Sequence, residues 1–479
     1  MELEEFVKNN LSEAINNLAK WIQINSIDDS MHSEENKPFG EGVYQALTFI
    51  AELAKKEGFE VDRCDGYCTE IKLGNGPKLI SLYAHSDVVP VSGDWKYPPF
   101  SATIEDGVMY GRGTSDDKGP AMAAFYALKY LKENYDLGEY QVRLVIGGNE
   151  EKGSRCLEYY FHHLHKPNPN YGFTPDGDFP LIYGEKGISN YESVVNVNLK
   201  PLLEFNAGVV INSVPDVASA RLIKDETFEN TLKELKVNYE IKYFDNEMEV
   251  VAKGKASHGS LPQNGVNAGL VLLTAIAKHY NNEFLKLITK AYQDPFGKNL
   301  DLYFESELLH YSTYNVGLIS YKEHVFKMSV NFRYPENVDI KKVIISLNKK
   351  LPMKTTLLSE SKCLLFDPKS PMITTLLKAY QDVTHDYITP IKTIGGGTYA
   401  KECQNTIAFG SAFPGRNDKI HDANESIHLS DFEKSISIYA TAIMYLSKLW
   451  EWRIKNGQNH LSMNIKNVWW ALITMIWIY

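Results

Sequence analysis

Apolar positions recur at helical spacing over residues 2 to 22 and 40 to 57, and KLISLYAHSDVVP then reads as a buried strand running into a polar loop. A helix is predicted over about 119 to 133. The string QVRLVIGGNEEKGS repeats the design, with Val142, Leu144 and Ile146 in a strand and a polar cluster in the glycine-rich loop behind it. Strands alternating with helices imply an α/β fold with a mostly parallel central sheet and flanking helices. In such sheets ligands bind beyond the carboxyl ends of the strands, and the polar clusters fall at that rim.

Between 188 and 366 the texture changes to alternating strands such as NEMEVVAKG and FKMSVNFRY, interleaved with helices such as VDIKKVIISLNKKL. This predicts an inserted α+β domain. From MITTLLKAYQDVT onward the helix and strand pattern resumes, and a TIAFGSAFPG strand again leads to a polar loop, so 1–187 and 367–479 together form the first domain. After the helix of SDFEKSISIYATAIMYLSKLW, residues 455–479 form an atypical tail ending in NVWWALITMIWIY. Its apolar run is shorter than the ~20 residues that span a bilayer. A packed extension, a Trp-rich interfacial anchor and an unusual terminus all remain open for it.

A chain of 479 residues exceeds one ordinary core, in keeping with two domains. With 44% hydrophobic and 23% charged residues it is an ordinary globular protein, and the formal charge of -10 disfavours a nucleic-acid partner. The acidic, amphipathic N-terminus lacks the pattern of a secretion signal, and five scattered cysteines form no disulfide framework, so a cytoplasmic protein with reduced thiols is expected. Cys64 and Cys68 read as incidental thiols.

His85 and Asp87 lie at the end of an apolar strand, Asp116 in GRGTSDDKG, Glu150 and Glu151 side by side, Asp176 in TPDGDFP and His421 in HDANES. Each alone is unremarkable. Together they are carboxylate and imidazole groups in predicted loops, several on one rim, and N and O donors of this kind suit zinc, manganese or cobalt. Two imidazoles and three of these carboxylates, His85, Asp116, Glu151, Asp176 and His421, overfill one ion, whereas two ions sharing a bridging carboxylate would each have three protein ligands and an open position. Two ions ~3.5–4 Å apart polarise a carbonyl and bring the pKa of a shared water toward ~7. An adjacent acidic pair can supply one metal ligand and one proton acceptor.

The strings YAHSDVVP, GRGTSDDKGP, EEKGS, TPDGDFP, GKASHGSLPQNGVNA and HDANES, in this order, resemble the motifs of the metallopeptidase family that includes carboxypeptidase G, acetylornithine deacetylase, aminoacylase and carnosinase. NFRYP, IGGGTYA, AFGSAFPG and GEKG most resemble its bacterial dipeptidase V, or Xaa-His dipeptidase, branch. The resemblance implies a zinc-exopeptidase-like catalytic domain with an inserted lid, His85, Glu151, Asp176 and His421 as terminal ligands, and Asp116 as the bridge. It also implies Glu150 as general base, Asp87 as the group orienting His85, and His258 as oxyanion stabiliser. Asn212, Arg333 and the Gly396 region would bind substrate, with Arg333 gripping a free carboxylate. Two divalent ions, zinc before manganese or cobalt, are the expected cofactors.

Asp117 competes with Asp116 as bridge, and the family pattern favours Asp116. His428 competes with His421 but alternates like a strand residue. By residue type alone His258 also reads as a surface histidine and Arg333 as the partner of a local acid, and His162, His163 and His165 read as a solvated loop. Gly259 stands where alanine is expected, and Asn149 where the branch often has aspartate. The expected activity is a metal-dependent dipeptidase for unblocked dipeptides, using a hydroxide shared by the two ions and Glu150 as base. The inserted region resembles the enlarged lid of the dipeptidase V branch, and that resemblance implies a monomer. An N-acyl-amino-acid deacylase is the nearest alternative, and a non-catalytic metal-binding protein a more distant one.

Overall fold

In the computed structural model, which describes residues 1–455, the strand Lys78–His85 is buried at every residue but its first. Neither face of such a strand meets water, so it belongs at the centre of a sheet covered on both sides. It pairs in parallel with Tyr140–Gly147 on one side and Tyr171–Thr174 on the other, and Thr406–Ala408 extends the parallel set. Antiparallel strands extend the sheet: Cys68–Leu73 and then Glu60–Asp62 on one edge, and Ile182–Glu185 beside Thr406–Ala408, with Leu364–Leu365 beyond it. The sheet is thus parallel at its centre and mixed overall.

Helices flank it. Leu3–Ile22, Glu41–Lys56 and Pro371–Thr384 are amphipathic, whereas Lys118–Asn134 is buried continuously from Lys118 to Leu131 because Leu3–Ile22 and Leu429–Lys455 both pack on it. The strand expected over TIAFGSAFPG stops at Ala408, and Gly410 then takes φ +84°, a left-handed conformation that ends any strand. The tail at 455–479 lies outside the described residues, apart from Lys455 at the end of its helix.

The chain divides into two compact units, one of Met1–Tyr183, Phe366–Lys392 and Thr398–Tyr479, the other of Gly184–Leu365 and Thr393–Gly397. The return of Thr393–Gly397 to the second unit breaks the simple insertion that the sequence pattern suggests. The second unit holds an eight-stranded sheet in which every neighbouring pair is antiparallel, from Asn238–Tyr243 at one edge to Lys354–Ser361 at the other. Its helices Ala268–His279, Glu283–Tyr292 and Ile340–Lys350 begin at Asn267, Asn282 and Asp339, whose side chains accept backbone N–H bonds of the first turn. Each unit has its own apolar core. Among the described residues no helix is long and apolar enough to cross a membrane.

Candidate metal centre

Three parallel strands end at His85, Gly147 and Thr174, and their loops leave from the same end of the sheet. His85, the last residue of its strand, is fully buried, with Nε2 2.9 Å from Asp116 Oδ1 and 3.9 Å from Asp176 Oδ2. His421 Nε2 lies 2.8 Å from Asp116 Oδ2 and 3.2 Å from Glu151 Oε1. The two carboxylate oxygens of Asp116 therefore face two different imidazoles. Two triads result, His85–Asp116–Asp176 and Asp116–Glu151–His421, the candidate donor atoms of each lying within 4.8 Å of one another. Asp116 is common to both.

Electrostatics follow from this crowding. Burial alone would raise the Asp116 carboxyl, but hydrogen bonds from His421 and His85 hold it well below the usual carboxylate range. Asp176 is pushed up to about 7 by burial and by the Asp116 charge, and Glu151 is raised by the same two causes. His421 is opposed by burial yet lifted to about 11 through hydrogen bonds to Asp116 and Glu151. Glu150 is raised well above an ordinary glutamate, first by burial and then by Asp176, Glu151 and Asp116. Acids and imidazoles gathered so closely make a site of concentrated negative charge that suits a cation. Two divalent ions would balance that charge, and a donor set of two imidazole nitrogens and three carboxylates with one shared member fits a pair.

Asp117, the rival of Asp116, points elsewhere: its Oδ2 accepts the backbone N–H of His85 at 3.1 Å, and it belongs to neither triad. His428 sits in the strand Ser426–His428 paired with Val108–Tyr110, also outside both triads. His162, His163 and His165 are exposed. Asp87 makes two sets of contacts. His85 Nδ1 lies 3.0 Å from the Asp87 backbone carbonyl and 3.4 Å from Oδ1, while the carboxylate accepts the backbone N–H groups of Glu150 and Glu151, each at 3.1 Å. Asp87 thus holds the acidic pair as well as lying beside the imidazole.

Two departures from the family pattern find physical reasons. Asn149 donates to Asp28 Oδ2 at 2.6 Å, where an aspartate would set two carboxylates against each other. A Cβ on Gly259 would stand 2.8 Å from the Asn212 carbonyl oxygen, so the turn excludes a side chain.

In the second unit, His258 is exposed, with Nδ1 2.6 Å from Ser260 Oγ, and the segments of Ser213 and His258 form an antiparallel bridge that brings exposed Asn212 close. Arg333 is only 4% exposed; its Nε donates to Asn331 Oδ1 at 2.7 Å and one terminal nitrogen to the Gly395 carbonyl at 3.0 Å. Among the described residues no carboxylate pairs with it, and burial lowers it to about 10. Beside it, Gly396 is under no steric demand for glycine, since an added Cβ would meet only Ile394 at 3.4 Å.

Sequence reasoning overlooked Glu425, Arg112 and Asp28. Glu425 lies inside the quoted HDANES string, yet nothing in its residue type reveals that it is fully buried.

The family model for peptidase family M20/M25/M40 matches residues 81–445. A Bacillus subtilis (strain 168) protein described as "Putative dipeptidase YtjP" is 35% identical over 455 residues, covering 91% of this chain and 97% of that protein. A Staphylococcus haemolyticus (strain JCSC1435) protein described as "Putative dipeptidase SH1171" is 33% identical over 466 residues, covering 92% of this chain and 99% of that protein. Among solved structures, the Saccharomyces cerevisiae di-peptidase Dug1p superposes with a TM-score of 0.58 at 17% identity, covering 93% of this chain and 98% of that one. Human carnosine dipeptidase 1 gives 0.57 at 15% identity, with the same coverages. The likeness to these structures establishes the shared fold, and the sequence matches establish descent: the chain belongs to peptidase family M20/M25/M40 and is a peptide-bond hydrolase.

Proposed function

We propose that the chain is a metal-dependent dipeptidase that cleaves the peptide bond of unblocked dipeptides. The observation that carries this reading is Asp116, whose two oxygens face His85 and His421 at 2.9 and 2.8 Å and so divide the site into two triads with one shared carboxylate. His85 and Asp176 would hold one ion, His421 and Glu151 the other, and Asp116 both. Two divalent ions, zinc in the first instance and manganese or cobalt by the same donor chemistry, would polarise the scissile carbonyl and acidify a water.

The chain's own residues have separate tasks. Glu150 accepts a proton from the attacking water and returns it to the leaving amine, and its place beside Glu151, with both amides fixed by Asp87, suits it to that exchange. Arg333, a buried guanidinium with no acidic partner among the described residues, is assigned to the free carboxylate of the substrate. His258 is assigned to the oxyanion, Asn212 and the Gly396 region to substrate contacts, and Asp87 to positioning. Dipeptides are favoured because the full-length relatives bear that description. A monomeric cytoplasmic enzyme is part of the same proposal, and a dimer mass in light scattering would contradict the first of these.

The test is turnover of a panel of free dipeptides, Xaa-His and β-alanyl members included, against their N-acetyl forms, with metal content measured on the same samples. Free dipeptides should be cleaved and N-acetyl forms spared; the reverse would make the enzyme a deacylase. Glu150→Ala should lower kcat by roughly 10²–10⁴-fold with metal still bound.

A further inference from the structure

His421 and Asp116 come from distant parts of the chain, yet their imidazole and carboxylate meet at 2.8 Å. Something must hold the two loops in register, because neither loop is a regular element: His421 and Asn424 take positive φ, and the Gly111–Asp117 segment is a run of turns. Between them lies one carboxylate, that of Glu425, with no exposure to solvent. Its Oε1 accepts the backbone N–H groups of Gly113 at 3.0 Å, Ser115 at 3.0 Å and Asp116 at 3.1 Å. Its Oε2 accepts from Arg112 Nη1 at 2.7 Å, and the other terminal nitrogen of Arg112 reaches the carbonyl oxygen of His421 at 3.4 Å.

We propose that Glu425, acting with Arg112, is the positioning residue of the metal centre: it sets where Asp116 stands relative to His421 and thereby sets the affinity of the site for divalent ions. The inference rests on the metal-site reading given above.

The alternative is that a buried ion pair here serves only the fold. Two features argue against it. Backbone N–H groups of one short segment turned onto a single anion form a concave cradle, and here the anion fixes where the amides of Gly113, Ser115 and Asp116 point. Moreover, a buried ion pair contributes little net stability over apolar residues of like volume, so stability of the fold alone does not account for this pair. Here the cradle includes the amide of Asp116 itself, and Arg112 grips the backbone of His421. Each end of the hub therefore acts on a candidate ligand, one on the shared carboxylate and one on an imidazole. Outer partners of ligands elsewhere change metal affinity by about 10–100-fold when altered.

The experiment compares full-length wild type, Glu425→Gln and Arg112→Lys. Metal affinity is measured for Zn2+ and for Mn2+ by competition with a chromophoric chelator, the metal-free proteins are followed by thermal unfolding, and kcat and KM are determined at saturating metal. Glu425→Gln keeps the size of the side chain but loses the charge that draws the amides and Arg112. Arg112→Lys keeps the charge opposite Glu425 and loses the reach to His421, so it remains informative if the first variant folds poorly. Both should weaken metal affinity about 10–100-fold, with KM little changed and kcat largely recovered at saturating metal. Wild-type affinity in both variants, or a loss confined to the melting of the metal-free protein, would overturn the proposal. A wild-type chain that takes up neither ion would sink the metal-site reading itself, which keeps the two failures apart.

Discussion

Lys186 is 7% exposed and, driven first by burial and then by the neighbouring Arg333 charge, has its ammonium lowered from 10.5 to about 8. The sign of the consequence is fixed by which state holds more protons. Between about 8 and 10.5 the unfolded chain keeps the Lys186 proton while the folded chain releases it, so unfolding takes up a proton and stability rises with pH. Below about 8 both states are charged and the full cost of burying the ammonium is felt. Lys186→Met has no such group. Relative to that variant, wild type should gain stability as pH rises through this window, read as the difference in urea midpoints at several pH values. A pH-independent difference would mean that Lys186 keeps its proton in the folded protein. At this scale the sequence conveys residue type but not burial. Glu425 could be read only as one of two acids in HDANES, and its full burial against the amides of Gly113, Ser115 and Asp116 belongs to the fold.

Elements with strong periodicity were legible, and those whose meaning lies in pairing were not. The helices Leu3–Ile22 and Glu41–Lys56 and the strands Lys78–His85 and Tyr140–Gly147 fall where apolar spacing places them, because each turns a stripe or both faces into a large core. Glu60–Asp62, Thr103–Glu105 and Val108–Tyr110 are three residues long, too short to show a period, and each owes its strand state to a partner far or near in the chain. The loop after Tyr140–Gly147 was legible as a polar cluster, but not what fixes it. Asn149 Oδ1 accepts the N–H of Arg155 at 3.2 Å, its amide nitrogen donates to Asp28 at 2.6 Å, and Lys152 Nζ donates to the Asp28 carbonyl at 2.9 Å. Asp28 is thus the anchor of the loop that carries Glu150 and Glu151. Asn149→Asp should set two buried carboxylates together and lower kcat/KM by about tenfold or more, since one misplaced ångström near the chemistry costs on the order of 10²-fold. The reciprocal change Asp28→Asn in the same protein should restore much of the loss. A double variant no better than the single one would show that the pair is not what holds the loop.

At the scale of the whole molecule, the two units have separate cores, one built on the mixed sheet and its helices and the other on the antiparallel sheet. All five candidate ligands, His85, Asp116, Glu151, Asp176 and His421, belong to the first unit. Metal that binds the folded first unit and not its unfolded form must stabilise that unit by mass action, by about 2.7 kcal/mol when free metal is 100 times Kd. One kcal/mol moves the melting temperature by roughly 2–4 °C for 150–250 residues and by less for a unit as large as the first, so the shift should be a few degrees. The second unit contains no member of either triad and has no such linkage. Calorimetry of the metal-free protein titrated with Zn2+ or Mn2+ should therefore resolve two components, one rising with metal concentration and one stationary. Addition of a chelator should return the moving component to its starting temperature. A single transition that shifts as a whole would mean that the units melt together despite their separate cores, and metal-dependent protection from hydrogen exchange confined to residues 184–365 would place the metal in the wrong unit.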